Sequence, residues 1–137
     1  MKAEELHNRY ARVRKDHASE TAEDYLELID DLRRECGEAR AVDIARAMQV
    51  SHATATKVLA RLEREGLIVS RPYRGVTPTD EGLGVAARAR KRHQMVLDFL
   101  LAIGVPPEVA EEDAEGIEHH VSQATLATMA AFLAAQP

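Results

Sequence analysis

Between Ala41 and Gly82 the chain is punctuated in a way that few folds accommodate. A short amphipathic segment, Val42 to Met48, turns Ile44, Ala45 and Met48 to one side, and a turn through Gln49 and Val50 leads to Ser51, a good N-cap. The next helix is expected over His52 to Glu65, with Ala55, Val58, Leu59 and Leu62 on its apolar face, and Gly66 stops it. Leu67 to Ser70 and Tyr73 to Thr77 then read as two short strands around Arg71-Pro72, with Arg74-Gly75 near the hairpin tip. Two short helices joined by a tight turn form a helix-turn-helix, and the ribbon behind them adds a wing. The order helix, Glu-Gly-Leu-Ile, strand, Arg-Gly, strand, Thr-x-x-Gly therefore predicts a winged helix-turn-helix.

The outer face of the second helix is small, polar and basic. Ala53, Thr56, Lys57, Ala60 and Arg64 lie opposite the apolar stripe, with Arg61 at its edge. Small residues admit close backbone approach to a duplex, while Lys and Arg reach phosphates and base edges. Candidate DNA contacts are therefore Ser51, His52, Ala53, Thr54, Thr56, Lys57 and Arg61 on the helix, and Arg71 and Arg74 on the wing. Tyr25 and Tyr73 are read as packing residues rather than base stackers. The net charge of -5 opposes nucleic-acid binding only until it is mapped. Residues 33–92 carry 13 basic and 7 acidic side chains, whereas residues 93–137 carry 7 acidic ones and no Lys or Arg. A basic centre that meets phosphates is flanked by segments able to hold cations.

The remaining chain is helical in pattern, so the expected fold class is mainly α. Residues 1–18 mix charges with little apolar periodicity and read as an arm, frayed or forming a short extra helix, in which His7 and His17 are solvated. From Ser19 or Thr21 a helix carrying Tyr25, Leu28, Ile29 and Leu32 runs to about Cys36. A long helix from Thr79 or Asp80 to about Ile103 is basic in its first half and apolar in its second, and Gly104-Val-Pro-Pro107 ends it. Helices over Glu108 to His120 and Ser122 to Ala135 complete the chain. The expected organisation is an arm (1–18), a DNA-binding domain (19–78) and a helical dimerisation and metal-binding domain (79–137). The last of these is so small and apolar that a second copy is expected against it, giving a homodimer. The lone cysteine, Cys36, excludes an internal disulfide framework, and no run is long enough to span a bilayer. A cytoplasmic protein without a membrane partner is expected.

Glu115-Gly-Ile-Glu-His-His120 carries the chemistry. In a helix, Glu115, Glu118 and His119 share one face, where two carboxylates repel unless a cation joins them. Asp24 and Glu27, three apart beside an apolar stripe, and His93, at the change from basic to apolar sequence, are further candidates. Four carboxylates carry four negative charges, which would balance two divalent cations. With two imidazoles and no thiolate, the set favours an oxygen-preferring metal such as Mn²⁺ or Fe²⁺. His120 points elsewhere on the helix and is read as structural.

These residues also carry a resemblance. The wing order, Asp24-Tyr-Leu-Glu27, Arg92-His93 followed by Phe99-Leu-Leu-Ala-Ile-Gly-Val105, and Asp113-Ala-Glu-Gly-Ile-Glu-His-His-Val-Ser122 resemble the diphtheria toxin repressor family, in its manganese transport regulator branch. The resemblance covers Ala22 to the C-terminus. It implies that Asp24, Glu27, His93, Glu115, Glu118 and His119 ligate a paired metal site, two ions per subunit, between the DNA-binding and dimerisation lobes. It further implies a divalent metal acting as co-repressor and a homodimer on a near-palindromic operator controlling manganese uptake genes. Iron-sensing relatives carry Met in place of Asp24 and Cys in place of Glu115, and continue into a further C-terminal domain, so carboxylates at both places imply manganese. The arm exceeds that of the shortest members.

Two rival classes are weighed against this. A helical two-metal enzyme would show paired Glu-x-x-His or His-Glu-x-x-His motifs, a Ser–His–Asp set or a phosphate loop, and none is evident, so no enzyme is expected. A winged-helix regulator answering to iron or to a small organic ligand is the alternative. In its organic-ligand form the acidic triplet would be only a solvated face.

Overall fold

The computed structural model describes residues 2–137; Met1, the first residue of the expected arm, and the side chain of Arg12 lie outside the described residues. Six helices and one two-stranded ribbon follow in the order α1 (Ala3–Cys36), α2 (Ala41–Met48), α3 (His52–Arg64), β1 (Ile68–Arg71), β2 (Gly75–Pro78), α4 (Asp80–Ala102), α5 (Pro107–Ile117) and α6 (Gln123–Ala134). They fall into two compact units, His17–Ala87 and Arg88–Pro137 together with the residues up to Asp16.

In the first unit, α1, α2, α3 and the ribbon close over Leu26, Ile29, Ile44, Leu62 and Ile68, each fully buried. Tyr25, 2% exposed, packs in this core as expected. Ser51 caps α3: its hydroxyl accepts from Thr54 N at 3.1 Å, satisfying a donor that the first helical turn leaves open. The ribbon is antiparallel, pairing Ile68 with Pro78 and Arg71 with Gly75. Val76 N also donates to Ala39 O at 2.8 Å, tying the wing to the start of α2. That approach requires Gly75: φ is +74°, and a Cβ there would meet Ala39 O at 2.5 Å.

The Thr-x-x-Gly signature has a similar cause. Thr79 Oγ1 donates to Gly66 O at 2.7 Å and accepts from Gly82 N at 3.1 Å, so one hydroxyl joins the end of α3 to the start of α4. Gly82 lets α4 abut the chain entering β1, because a Cβ would collide with the carbonyl oxygen of Leu67. In the second unit Val96, Leu100, Ala110, Ala114 and Leu126 form the core, with Phe99 and Phe132 edge-to-face at 5.4 Å beside it. Ser122 caps α6 through Thr125 N at 3.2 Å, repeating the Ser51 arrangement.

Three expectations are corrected. Residues 3–18 are neither frayed nor a separate helix: α1 is one helix of 34 residues. Tyr73 does not pack; it sits at the wing tip with φ +65° and is 96% exposed. The acidic helix ends early, at Ile117, and Glu118 is its C-cap with φ -60° and ψ -28°. His120 N then donates to Ile117 O, a tighter turn that carries His119 and His120 outside the regular helix.

Candidate metal centre and nucleic-acid interface

On the first unit, His52, Ala53, Thr54, Thr56 and Lys57 are exposed along α3, and Arg71 and Arg74 are exposed on the wing, as a groove-reading face requires. Some of the expected contacts also have partners within the protein. Ser51 and Thr54 share a hydroxyl–hydroxyl hydrogen bond of 3.0 Å at the cap. Arg61 Nη2 donates to Ala18 O at 3.0 Å and Nε lies 3.5 Å from Glu65 Oε1, so this guanidinium links α1 to α3. Asp24 and Glu27 are half-buried on α1, one turn apart in this same unit.

On the second unit, three of the expected ligands converge. His93 of α4, Glu115 of α5 and Glu118 at its C-cap each offer a donor atom, all within 4.8 Å of one another. Small Ala110 and Ala114 of α5 are fully buried in the same core as Val96 of α4. Glu118 is 2% exposed. Its Oε1 lies 3.0 Å from His119 Nε2, and Arg92 Nε lies 3.5 Å from Oε2. His119, with a side chain 1% exposed, thus stands next to the cluster despite the early end of α5. His93 Nδ1 lies 3.4 Å from Glu115 Oε1.

A buried carboxylate oxygen is costly unless it is hydrogen-bonded or meets a cation. Glu118 Oε2 and His93 Nδ1 are both buried without a hydrogen-bond partner. Carboxylate and imidazole atoms from two elements, buried without hydrogen bonds and, at Glu118 Oε2, held only by the 3.5 Å ion pair to Arg92, suit a divalent cation preferring oxygen and imidazole donors. One neighbour was missed from the sequence: Glu111, whose Oε1 lies 3.1 Å from His93 Nε2. Its signal was present, since it stands one turn before Glu115 on the same helix face. His120 is structural in setting, with Nδ1 3.8 Å from Asp16 Oδ2.

A winged helix-turn-helix followed by a helical unit with such a donor cluster defines a metal-responsive transcriptional regulator. Residues 17–76 match the family "Iron dependent repressor, N-terminal DNA binding domain", and residues 79–135 match "Iron dependent repressor, metal binding and dimerisation domain". The chain belongs to the iron dependent repressor family. It is 53% identical over 117 residues to the transcriptional regulator MntR of Escherichia coli O6:H1, covering 85% of this chain and 76% of that protein. It is 51% identical over 123 residues to the transcriptional regulator MntR of Salmonella typhimurium, covering 90% and 78%. Among solved structures, the manganese regulator SloR superposes with a TM-score of 0.71 at 26% identity, over 84% of this chain. This chain spans 54% of the SloR chain, about half its length. Among the described residues, no helix is long and apolar enough to cross a membrane.

Proposed function

We propose that the protein is a manganese-responsive, metal-activated transcriptional repressor that binds a near-palindromic operator as a homodimer and controls manganese uptake genes. The observation that carries this reading is the buried pair of atoms without hydrogen bonds, Glu118 Oε2 and His93 Nδ1, beside Glu115. His93, Glu115, Glu118 and His119 would hold the metal, with Asp24 and Glu27 completing the set on the strength of the family resemblance. Four carboxylates in that set offset two ions per subunit. When bound, divalent metal supplies the positive charge that lets these carboxylates stand close together. Mn²⁺ suits the oxygen-rich set, and the structurally similar SloR is a manganese regulator. Fe²⁺ is the competing occupant, because affinity alone does not select manganese.

The residues do the remaining work. His52, Ala53, Thr54, Thr56 and Lys57 enter the major groove, while Arg71 and Arg74 neutralise phosphates. In a homodimer, two such helices meet successive grooves about 34 Å apart. Leu101, Ile103, Val109 and Phe132 are exposed on the second unit and supply apolar surface for the second copy. No step needs turnover of a substrate, so the protein acts by binding and not as an enzyme.

The test is gel-shift titration of a fragment upstream of a manganese transporter gene, at one fixed salt concentration, with chelator, Mn²⁺ or anaerobic Fe²⁺. Wild-type protein is expected to bind tightly with Mn²⁺ alone, and Glu115→Ala to lose that response while sedimenting as a dimer. Equal binding with chelator and with Mn²⁺ contradicts the proposal.

A further inference from the structure

We infer that Glu111 is a positioning residue for the metal centre: it accepts the Nε2–H of His93 and so leaves Nδ1 as the lone-pair nitrogen facing Glu115 and Glu118. This rests on the metal-binding reading proposed above. The imidazole of His93 lies against two carboxylates one turn apart on α5, with Nε2 3.1 Å from Glu111 Oε1 and Nδ1 3.4 Å from Glu115 Oε1. An ionised carboxylate only accepts, and a neutral imidazole has one N–H to give. The two contacts therefore cannot both be hydrogen bonds to a neutral ring.

Geometry chooses between them. The Glu111 contact satisfies hydrogen-bond criteria, whereas Nδ1 is buried and has no hydrogen-bond partner. The N–H accordingly sits on Nε2. On the neutral ring the Nδ1 lone pair then opposes a carboxylate oxygen, and a cation between them makes that arrangement favourable. Glu111 itself is 60% exposed and lies outside the cluster formed by His93, Glu115 and Glu118. It therefore acts through His93. Metal-bound histidines commonly donate their other ring N–H to such a carboxylate, which fixes the tautomer and raises the basicity of the ligating nitrogen.

The test uses the full chain labelled with ¹⁵N-histidine, with the His93 signals assigned by comparison with His93→Gln. Long-range ¹H–¹⁵N spectra of the metal-free protein at mildly alkaline pH are expected to show His93 as the Nε2–H tautomer. Glu111→Ala is expected to lose that preference and to weaken Mn²⁺ binding, measured by calorimetry, by about 10- to 100-fold. Glu111→Gln, whose amide oxygen still accepts, is expected to keep the tautomer and most of the affinity. A His93 tautomer or Mn²⁺ affinity unchanged in Glu111→Ala overturns the inference. So does Glu111→Gln as damaged as Glu111→Ala, because the carboxylate would then be a ligand itself. Wild-type protein that takes up no Mn²⁺ overturns the metal reading beneath it, a different result from uptake indifferent to Glu111.

Discussion

The unit His17–Ala87 buries the large side chains Leu26, Ile29, Ile44, Leu62 and Ile68 completely, whereas in the unit holding Arg88–Pro137 the other fully buried residues are alanines and, among the described residues, Val96 is the one large side chain of that class. Each unit also buries one carboxylate, and the two are treated differently. Asp30, 6% exposed, is paired at 3.0 Å with Arg34 one turn along α1. Glu118, 2% exposed, keeps one oxygen without a hydrogen-bond partner. The first unit closes a continuous apolar core among α1, α2, α3 and the ribbon. The second buries Glu118 with one oxygen held only by a 3.5 Å ion pair to Arg92 and no hydrogen bond.

This contrast can be broken most forcefully through the continuous apolar core. Leu62→Ala is expected to cost about 2–5 kcal/mol in urea unfolding, because the closed packing around it cannot collapse into the space. A loss well under 1 kcal/mol would mean that this core is no better closed than the other. On the sensing side, Mn²⁺ at about a hundredfold over its dissociation constant is expected to stabilise wild-type protein by about 2.7 kcal/mol. Glu118→Gln is expected to lose that increment while its metal-free stability changes by less than about 1 kcal/mol, since Arg92 can turn to water. Paired thermal melts with and without Mn²⁺ separate the two effects. A large metal-free loss would instead make Glu118 a structural residue.

Smaller effects sharpen the picture. Gly82→Ala is expected to cost about 1–3 kcal/mol, because the new methyl meets the backbone of Leu67 rather than a side chain that can yield. Ser51→Ala and Ser122→Ala remove equivalent caps, one in each unit, and each is expected to cost about 1 kcal/mol in chemical denaturation. If the two units differ in core closure and not in local structure, these two losses should match.

The parts legible in the sequence were those written in local chemistry. Ser51, Gly66, Gly75, Thr79 and Gly82 each answer to a cap, a turn or a close backbone approach, so the winged unit could be read almost element by element. The helical start of α1 was not, because Leu6, Tyr10 and Val13 form only a thin stripe among charges and helix-forming residues without a full apolar face. Tyr73 was misread because aromatic identity suggests packing, whereas its positive φ places it on a turn. The hydrogen bond from Arg61 to the Ala18 carbonyl spans 43 residues and was not legible from the position of Arg61 at the edge of its helix. Glu115, Glu118 and His119 stand out in the sequence by their spacing, and Asp24 and Glu27 join them through the family resemblance. The early end of α5 and the part of Glu111 depend on how the chain packs around His93, which spacing does not encode.

The account stands most directly on reciprocity between metal and DNA. If Mn²⁺ strengthens operator binding by a given factor, operator DNA must strengthen Mn²⁺ binding by the same factor, and a coupling of about 1–3 kcal/mol makes that factor roughly 5- to 150-fold. Measuring both legs at one salt concentration, operator affinity by fluorescence anisotropy with chelator or Mn²⁺ and Mn²⁺ affinity by calorimetry with and without operator, closes the cycle. Equal factors in that range are the predicted result. Operator affinity indifferent to Mn²⁺, with Mn²⁺ affinity indifferent to operator, would leave a winged-helix DNA binder whose buried carboxylate senses nothing.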